Sequence, residues 1–378
     1  MSTSRLSLQL LFLSLVLIAF GCGRRKNEDP NPDNNQQETG DPNSNNTQPG
    51  NDNPVPEASD DIPIVTAEST YTVLTDSDIE YADGLVHDNA STTPFAAPQK
   101  LDMYYPDNEN TNRPVYMFIH GGGFKSGTKT KPEIIAAANY FASRGWVFAS
   151  VDYRTTEDLG MIAGKTPDEL MAYYQGIAPQ EWIEHALQQA ESPDQVQTST
   201  AMYTAQRDSK AALRWIVANA DRYNINPNYI TVGGASAGAI TTLALGMSNN
   251  EDFRDEISVD DDPTLNTTNL DQEYTVENMV YYWGSSVKLD LFEAVYGVNR
   301  YDSDDPNLFM AHGTNPDPVT PYEGSVQLQE KCNDLGIYTQ LVTLEGHGHG
   351  AWGAQVDGKG LSELSFDFIV ERSSLIVQ

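Results

Sequence analysis

The chain has 378 residues, of which 54 are acidic and 22 basic, so its formal net charge at pH 7 is −32. A surface this negative repels phosphate groups, and nucleic acid is therefore excluded as a partner. The sequence has two cysteines, Cys22 and Cys332, and if one of them is modified, neither a disulfide within the chain nor a cysteine metal site can form.

Residues 1–21 have the features of a bacterial secretion signal. Arg5 is their one charged residue, and the apolar run at residues 6–20 is too short to span a bilayer comfortably. Cys22 follows directly, which resembles the lipobox of bacterial lipoproteins. This resemblance implies that Cys22 is lipidated and that the protein is extracytoplasmic, held at the outer membrane or cell surface. An ordinary signal peptide with an incidental cysteine is the alternative.

Residues 22–62 differ in composition from the rest of the chain. They are rich in Asn, Asp, Pro, Gln, Gly and Ser and have almost no apolar residues. Such a segment cannot bury enough surface to offset its ordering entropy, so we expect a disordered tether. Residues 63–378 are then long enough for one large domain.

Short apolar runs alternate with helical patterns through this domain. The predicted strands are residues 71–75, 99–105, 115–119, 146–151, 229–232, 279–283, 308–311 and 338–344. The predicted helices are residues 132–144, 203–223, 237–247, 322–335 and 361–376. Continuous apolar runs are typical of parallel strands buried on both faces. The alternation predicts an α/β domain with a mostly parallel sheet and helices on both faces.

Two segments do not fit the simple alternation. Residues 155–200 are longer than an ordinary crossover and partly helical in pattern, so we predict a small helical cap over the carboxyl edge of the sheet. Residues 251–277 are acidic and poor in apolar side chains, which predicts a surface excursion.

Ser236 lies in the sequence Gly-Ala-Ser-Ala-Gly, between a predicted strand and a small apolar helix. This is the strand–turn–helix context of a nucleophile elbow, where glycines are needed because the turn is tight. The N-terminus of the following helix adds partial positive charge near the serine. The five-residue pattern alone is weak, and a plain strand-to-helix turn is the alternative.

A second motif, His-Gly-Gly-Gly-Phe at residues 120–124, follows another predicted strand. The backbone N–H groups of Gly122 and Gly123, together with that of Ala237, could hold the oxyanion of an acyl-transfer reaction. A flexible loop is one alternative. A phosphate-binding loop is another, but it would need Gly-Lys-Ser/Thr before a helix, and that sequence is absent. We expect His120 to make an orienting hydrogen bond rather than to act as a base.

Together, these motifs resemble the esterase and lipase branch of the α/β-hydrolase superfamily that carries a His-Gly-Gly-Gly loop. The resemblance extends from about residue 98 to residue 372 and includes parts of residues 205–227 before the elbow. It implies the α/β-hydrolase fold and catalytic residues in the chain order Ser, then Asp or Glu, then His. No cofactor and no metal is implied.

The resemblance places the acid in the loop after a late strand. Residues 312–321 are similar to a His-Gly-Thr-x-Asp-x-x-Val-Pro loop, with one extra residue before the aspartate. Asp317 is therefore the predicted acid, and Asp290 is the alternative. An ordinary turn residue is the other interpretation of Asp317.

The base is expected after the last strand, where Gly346 to Gly350 contain two histidines. The pattern Gly-x-Gly-His-Gly in similar enzymes favours His349, which leaves His347 as a surface or supporting residue. Two histidines at this spacing could also bind a metal, but no third ligand is evident.

These residues predict hydrolysis of a carboxylic ester through an acyl-enzyme on Ser236, with His349 as general base and Asp317 fixing its tautomer. The resemblance implies short-chain esters, or acetyl and feruloyl esters of polysaccharides, as substrates. A lipase or polyesterase, a serine peptidase of the same fold and a non-catalytic binding lipoprotein are the alternatives.

Overall fold

A computed structural model describes residues 62–83, 99–160 and 162–378. The predicted signal segment, the predicted lipidation site at Cys22 and nearly all of the predicted tether lie outside these ranges. Within them, no helix is both long and apolar enough to cross a membrane.

The strands of the described residues form one large sheet and two short ribbons. They are β1 (Ile64–Val65), β2 (Val73–Ala82), β3 (Gln99–Pro106), β4 (Arg113–Ile119), β5 (Val147–Val151), β6 (Ile225–Ala235), β7 (Asn278–Tyr282), β8 (Asn307–Gly313), β9 (Thr339–Leu344), β10 (Gln355–Val356), β11 (Lys359–Gly360) and β12 (Ile376–Val377). The eight-stranded sheet has the order β2-β3-β5-β4-β6-β7-β8-β9. The six neighbouring strands β5, β4, β6, β7, β8 and β9 are parallel. At one edge, β3 pairs antiparallel with β5, and β2 pairs antiparallel with β3.

Helices connect these strands. They are α1 (Pro132–Ala142), α2 (Pro167–Tyr174), α3 (Gln180–Gln189), α4 (Pro193–Ala218), α5 (Ala220–Tyr223), α6 (Ala237–Met247), α7 (Val287–Tyr296), α8 (Tyr322–Leu335) and α9 (Leu361–Arg372). A short 3-10 helix spans Pro263–Thr267.

The sheet separates two apolar cores because successive side chains of a strand point to opposite faces. On β4, Met117 belongs to one core and the adjacent Phe118 to the other. Helices α4, α6 and α7 cover the first face, and α1 and α9 cover the second. The predicted α/β architecture, with helices on both faces of a mostly parallel sheet, is therefore the observed one.

The segment at residues 155–200 forms α2, α3 and the beginning of α4. Its start is attached to the glycine loop, because the N–H of Thr156 donates to the carbonyl of Phe124 at 2.9 Å. The side-chain amide of Gln197 then donates to the carbonyls of Thr156 and Gly160 at 3.1 and 2.7 Å. The long helix α4 begins at Pro193, ten residues before its predicted start at residue 203.

Residues 251–277, predicted to be a surface excursion, form a loop with one short 3-10 helix and many exposed residues, but part of the segment is buried. Asp252 and Asp262 in this segment are buried. Asp262 pairs with Arg207 of α4, and Asp252 pairs with Arg300 at 2.8 Å. Acidic composition indicated solvent exposure, but Arg207 and Arg300 neutralise these two carboxylates, so they can be buried.

The C-terminal helix is also shorter than predicted. Helix α9 ends at Arg372, and Ser374 takes a left-handed backbone conformation with φ of 51°. Ile376 then pairs with Ile64 in the parallel ribbon of β12 and β1. Helix α7 was not predicted at all.

Candidate active site

Ser236 occupies a sharp turn between the end of β6 and the start of α6. Its backbone has φ of 56° and ψ of −120°, a region that residues with a side chain rarely adopt. The N–H of Ser236 donates to the carbonyl of Tyr282 on β7 at 2.9 Å, and its carbonyl accepts from the N–H of Ile240 at 3.1 Å. The turn is therefore held on both sides, which keeps the half-buried serine at its tip.

The glycines on either side of the serine are required by close packing. A Cβ atom at Gly238 would lie 2.0 Å from the carbonyl oxygen of Ile119, and one at Gly234 would lie 2.8 Å from the same atom. Helix α6 can reach the carboxyl end of β4 because both positions lack a side chain.

The structure brings the three predicted catalytic residues into one hydrogen-bonded line. The Nε2 atom of His349 lies 2.9 Å from the Oγ of Ser236, and its Nδ1 atom lies 2.7 Å from the Oδ2 of Asp317. The serine follows β6, the aspartate follows β8 and the histidine follows β9. Carboxyl ends of parallel strands meet at one edge of a sheet, which explains why residues 113 positions apart touch.

Asp317 is held by donors to both carboxylate oxygens. The N–H of Val319 donates to Oδ1 at 2.8 Å, and the hydroxyl of Thr320 donates to Oδ2 at 3.0 Å. Burial acts to raise the pKa of Asp317, but these donors and His349 outweigh it and leave the pKa below its ordinary value. The carboxylate is therefore ionised at neutral pH, as an acid that stabilises an imidazolium must be.

A second histidine supports the loop of Asp317. His312 is buried, and its Nε2 donates to the carbonyl of Thr320 at 2.8 Å. Its Nδ1 lies 2.6 Å from the hydroxyl of Ser325 on α8, and burial lowers the pKa of the ring. His312, Thr320 and Ser325 were not predicted as site residues, since no motif gives the contacts between them.

The two alternative residues lie outside this line. His347 is exposed, and its carbonyl accepts from the N–H of Asn315 at 2.9 Å, which joins the two loops. Asp290 lies on α7, where it accepts from the hydroxyl of Ser286 at 2.7 Å and lies 3.8 Å from the ammonium of Lys331.

The glycine loop packs directly on the elbow. A Cβ atom at Gly121 would lie 2.5 Å from the carbonyl of Ala235 and 3.1 Å from the Cβ of Ser236. Gly122 and Gly123 have φ of 143° and 64°, which a side chain would strain. Among the described residues, no hydrogen bond uses the N–H groups of these two glycines as donors. Their donors remain available to a ligand.

Ala237 is the first residue of α6, so its N–H has no acceptor within the helix. It follows Ser236 directly, at the positive end of the helix dipole. The three N–H groups predicted to bind an oxyanion thus lie on two segments that are in contact with each other.

His120 contacts the glycine loop and is not part of the line formed by Ser236, His349 and Asp317. Its Nδ1 donates to the carbonyl of Gly121 at 3.0 Å, and its ring stacks on Tyr153 with centroids 4.3 Å apart. Burial lowers the pKa of His120 to about 4, so the ring is neutral at neutral pH. The orienting hydrogen bond predicted for this residue is present.

The BD-FAE family model matches residues 101–164 and 192–332, which is more than half of the chain. The chain belongs to the BD-FAE family. The matched residues include the glycine loop, Ser236 and Asp317, whereas His349 lies beyond them.

Three curated proteins are similar to parts of the chain. Phenmedipham hydrolase of Pseudarthrobacter oxydans is 30% identical over 39% of this chain and 22% of its own length. Gut esterase 1 of Caenorhabditis elegans is 29% identical over 36% of this chain and 18% of its own. Esterase LipC of Mycobacterium tuberculosis is 25% identical over 55% of this chain and 35% of its own. The chain thus spans about a third or less of the length of these relatives.

Solved structures resemble the chain over most of its length. A truncated carbohydrate esterase from gut microbiota has a TM-score of 0.51 at 19% identity and covers 82% of this chain and 99% of its own. Thermogutta terrifontis esterase 2 phosphonylated by cyclosarin has a TM-score of 0.51 at 19% identity, with coverages of 84% and 95%. These likenesses show that the fold is the α/β-hydrolase fold, as the sequence predicted.

The packing at Gly238 predicts an unequal response of two helical glycines to alanine. Gly238→Ala should destabilise the fold by about 3 kcal/mol or more, because the added methyl group collides with the Ile119 carbonyl. Gly324→Ala on α8 should stabilise it by about 0.5–1 kcal/mol, because open space surrounds that position. Urea unfolding of both variants measures the difference, and equal effects would contradict the packing described for the elbow.

Proposed function

We propose that the protein is a serine hydrolase of carboxylic esters, with Ser236 as nucleophile, His349 as general base and Asp317 as the acid of the triad. The observation that carries the proposal is the line of contacts at 2.9 and 2.7 Å from Ser236 through His349 to Asp317. A nucleophile in reach of a base, which a third group orients, is the arrangement that acyl transfer requires.

The first step forms an acyl-enzyme. His349 accepts the hydroxyl proton of Ser236 through Nε2 while the serine oxygen attacks the ester carbon. The resulting imidazolium is stabilised by the ionised Asp317. The negative oxygen of the tetrahedral intermediate would accept hydrogen bonds from the N–H groups of Gly122, Gly123 and Ala237. His349 then gives the proton to the leaving alcohol.

The second step releases the acid. A water molecule takes the place of the alcohol, and His349 accepts one of its protons as the oxygen attacks the acyl carbon. Collapse of the second tetrahedral intermediate returns the proton to Ser236. Each step uses the same contacts, so the triad ends as it began.

The comparisons support ester hydrolysis over the alternatives. The similar curated proteins are named as a hydrolase and as esterases. A non-catalytic binding protein does not require a strained serine in contact with a histidine that a half-buried carboxylate orients. This contrast favours an enzyme.

We propose short-chain esters, or acetyl and feruloyl esters linked to polysaccharides, as the substrates. The sequence resemblance supports this class, and an enzyme tethered outside the cell would meet such polymers. The net charge of −32 disfavours strongly anionic polymers, because like charges repel at the surface. A neutral acetylated xylan is therefore a better candidate than an acidic polysaccharide.

Removing the nucleophile should abolish ester hydrolysis. Ser236→Ala should lower kcat on nitrophenyl acetate and butyrate on the order of 10⁴-fold or more. Ser303→Ala changes an exposed serine in a turn before β8 and should leave the rate unchanged. Release of nitrophenol by the domain at residues 63–378 measures both rates. Full activity of Ser236→Ala, or no activity of the wild type on any chain length, would contradict the proposal.

Alanine substitutions of the two histidines at residues 346–350 test which of them is the general base. His349→Ala should lower kcat on the order of 10³-fold or more, because the proton of Ser236 then has no acceptor. His347→Ala removes an exposed ring but keeps the backbone carbonyl that accepts from Asn315. Its kcat should therefore change less than about 3-fold. Initial rates under the same conditions compare them. The reverse ranking would transfer the role of base to His347.

The substrate class has its own test. The domain at residues 63–378 should release acetate from acetylated xylan or ferulate from feruloylated oligosaccharides, with a higher kcat/KM than for nitrophenyl palmitate. Product acids can be quantified by chromatography, with Ser236→Ala as the blank. A preference for the long-chain ester would instead support a lipase or polyesterase.

A further inference from the structure

Thr320 lies in the loop between β8 and α8, and its side chain is buried with 1% of the residue exposed. Its hydroxyl contacts two members of the proposed triad. The Oγ1 atom lies 3.0 Å from the Oδ2 of Asp317 and 3.1 Å from the Nδ1 of His349. Those two atoms are 2.7 Å apart, so the three atoms form a compact triangle.

The position of each hydrogen follows from the chemistry of these groups. An ionised carboxylate only accepts, so the single hydroxyl hydrogen of Thr320 donates to Asp317. His349 must keep Nε2 free to accept the proton of Ser236, so its hydrogen is on Nδ1. That hydrogen faces both the carboxylate of Asp317 and a lone pair of Thr320.

We propose that Thr320 is a positioning residue of the triad, whose hydroxyl orients Asp317 and holds His349 in the tautomer that accepts the serine proton. This inference rests on the proposed ester hydrolase function. Thr320 does not touch the substrate, because its side chain is buried behind the aspartate and the histidine.

The loop needs such a contact because, among the described residues, backbone donors bind one of the two carboxylate oxygens. The N–H of Val319 binds Oδ1 of Asp317, but Oδ2 accepts from the side chains of Thr320 and His349. Without the hydroxyl, Oδ2 would have His349 as its partner among the described residues. His349 would then have one acceptor at Nδ1 in place of two, and the half-exposed ring would be less firmly oriented.

The backbone of Thr320 is itself fixed from the interior. A carbonyl only accepts, so the Nε2 of His312 carries the hydrogen that it donates to the Thr320 carbonyl at 2.8 Å. The Nδ1 of the neutral ring then accepts from the hydroxyl of Ser325 at 2.6 Å. A chain of hydrogen bonds thus runs from α8 through His312 to Thr320, which gives the hydroxyl a fixed place against the triad.

The test compares two substitutions that differ in one hydroxyl group. Thr320→Val keeps the shape but removes the hydroxyl, and we expect kcat on nitrophenyl acetate to fall about 10-fold to 100-fold at unchanged KM. Thr320→Ser keeps the hydroxyl and should recover most of the lost rate. Thr339→Val, which removes a threonine hydrogen bond to Asn333 at the opposite end of β9, should behave as the wild type. A wild-type kcat for Thr320→Val, or a folded Thr320→Ser as slow as Thr320→Val, would overturn the inference.

A second measurement needs no turnover. The Nδ1 proton of His349 should give a low-field proton NMR signal in the wild type, assigned by its loss in His349→Ala. In Thr320→Val that signal should move and broaden through faster exchange with water. An unchanged signal would overturn the role of Thr320. If the wild type hydrolyses no ester, the proposed function fails, while the NMR result still decides whether Thr320 orients His349.

Discussion

The strained backbone at Ser236 is the constraint on which the rest of the site depends. A φ of 56° is costly for a residue with a side chain, and it persists because the surrounding structure fixes it. Tyr282 on the next strand accepts the serine N–H, and glycine at 238 lets α6 approach β4. The turn then presents the hydroxyl at the edge of the sheet and the first N–H of α6 directly beside it.

The parallel sheet brings the other parts of the site together, because the carboxyl ends of four strands lie at the same edge. The glycine loop follows β4, the elbow follows β6, the acid loop follows β8 and the histidine loop follows β9. The acid and histidine loops are joined by Asn315, whose N–H and side-chain amide donate to the carbonyls of His347 and Gly346. The loop of His349 is therefore held against the loop of Asp317 by Asn315.

The parts of this site that the sequence predicts are those whose chemistry demands particular residue types. Glycines at the elbow and in the loop at residues 120–124 could be recognised because a side chain there would collide or strain the backbone. Short runs rich in apolar and β-branched residues likewise indicated all eight strands of the sheet. Thr320 could not be recognised, since its contact with His349 joins residues 29 positions apart and depends on how two loops fold.

The burial of charged residues is the other feature that amino-acid composition did not predict. Residues 251–277 were predicted to be exposed because they are acidic, but the partner of Asp262 is Arg207, 55 positions earlier on α4. A sequence pattern shows the charge of a segment and not the cation that neutralises it. Helix α7 was missed for a related reason, since Val287–Tyr296 mixes charged and apolar residues in a short span.

The central claim is that Ser236 is a nucleophile activated by His349 and Asp317. A fluorophosphonate probe followed by peptide mass spectrometry tests it most directly, because the probe reacts far faster with an activated serine than with an ordinary hydroxyl group. We predict one adduct, on the peptide that contains Ser236, formed at least about 100-fold more slowly in His349→Ala. An adduct on another residue, or equal labelling of Ser236 without His349, would contradict the account.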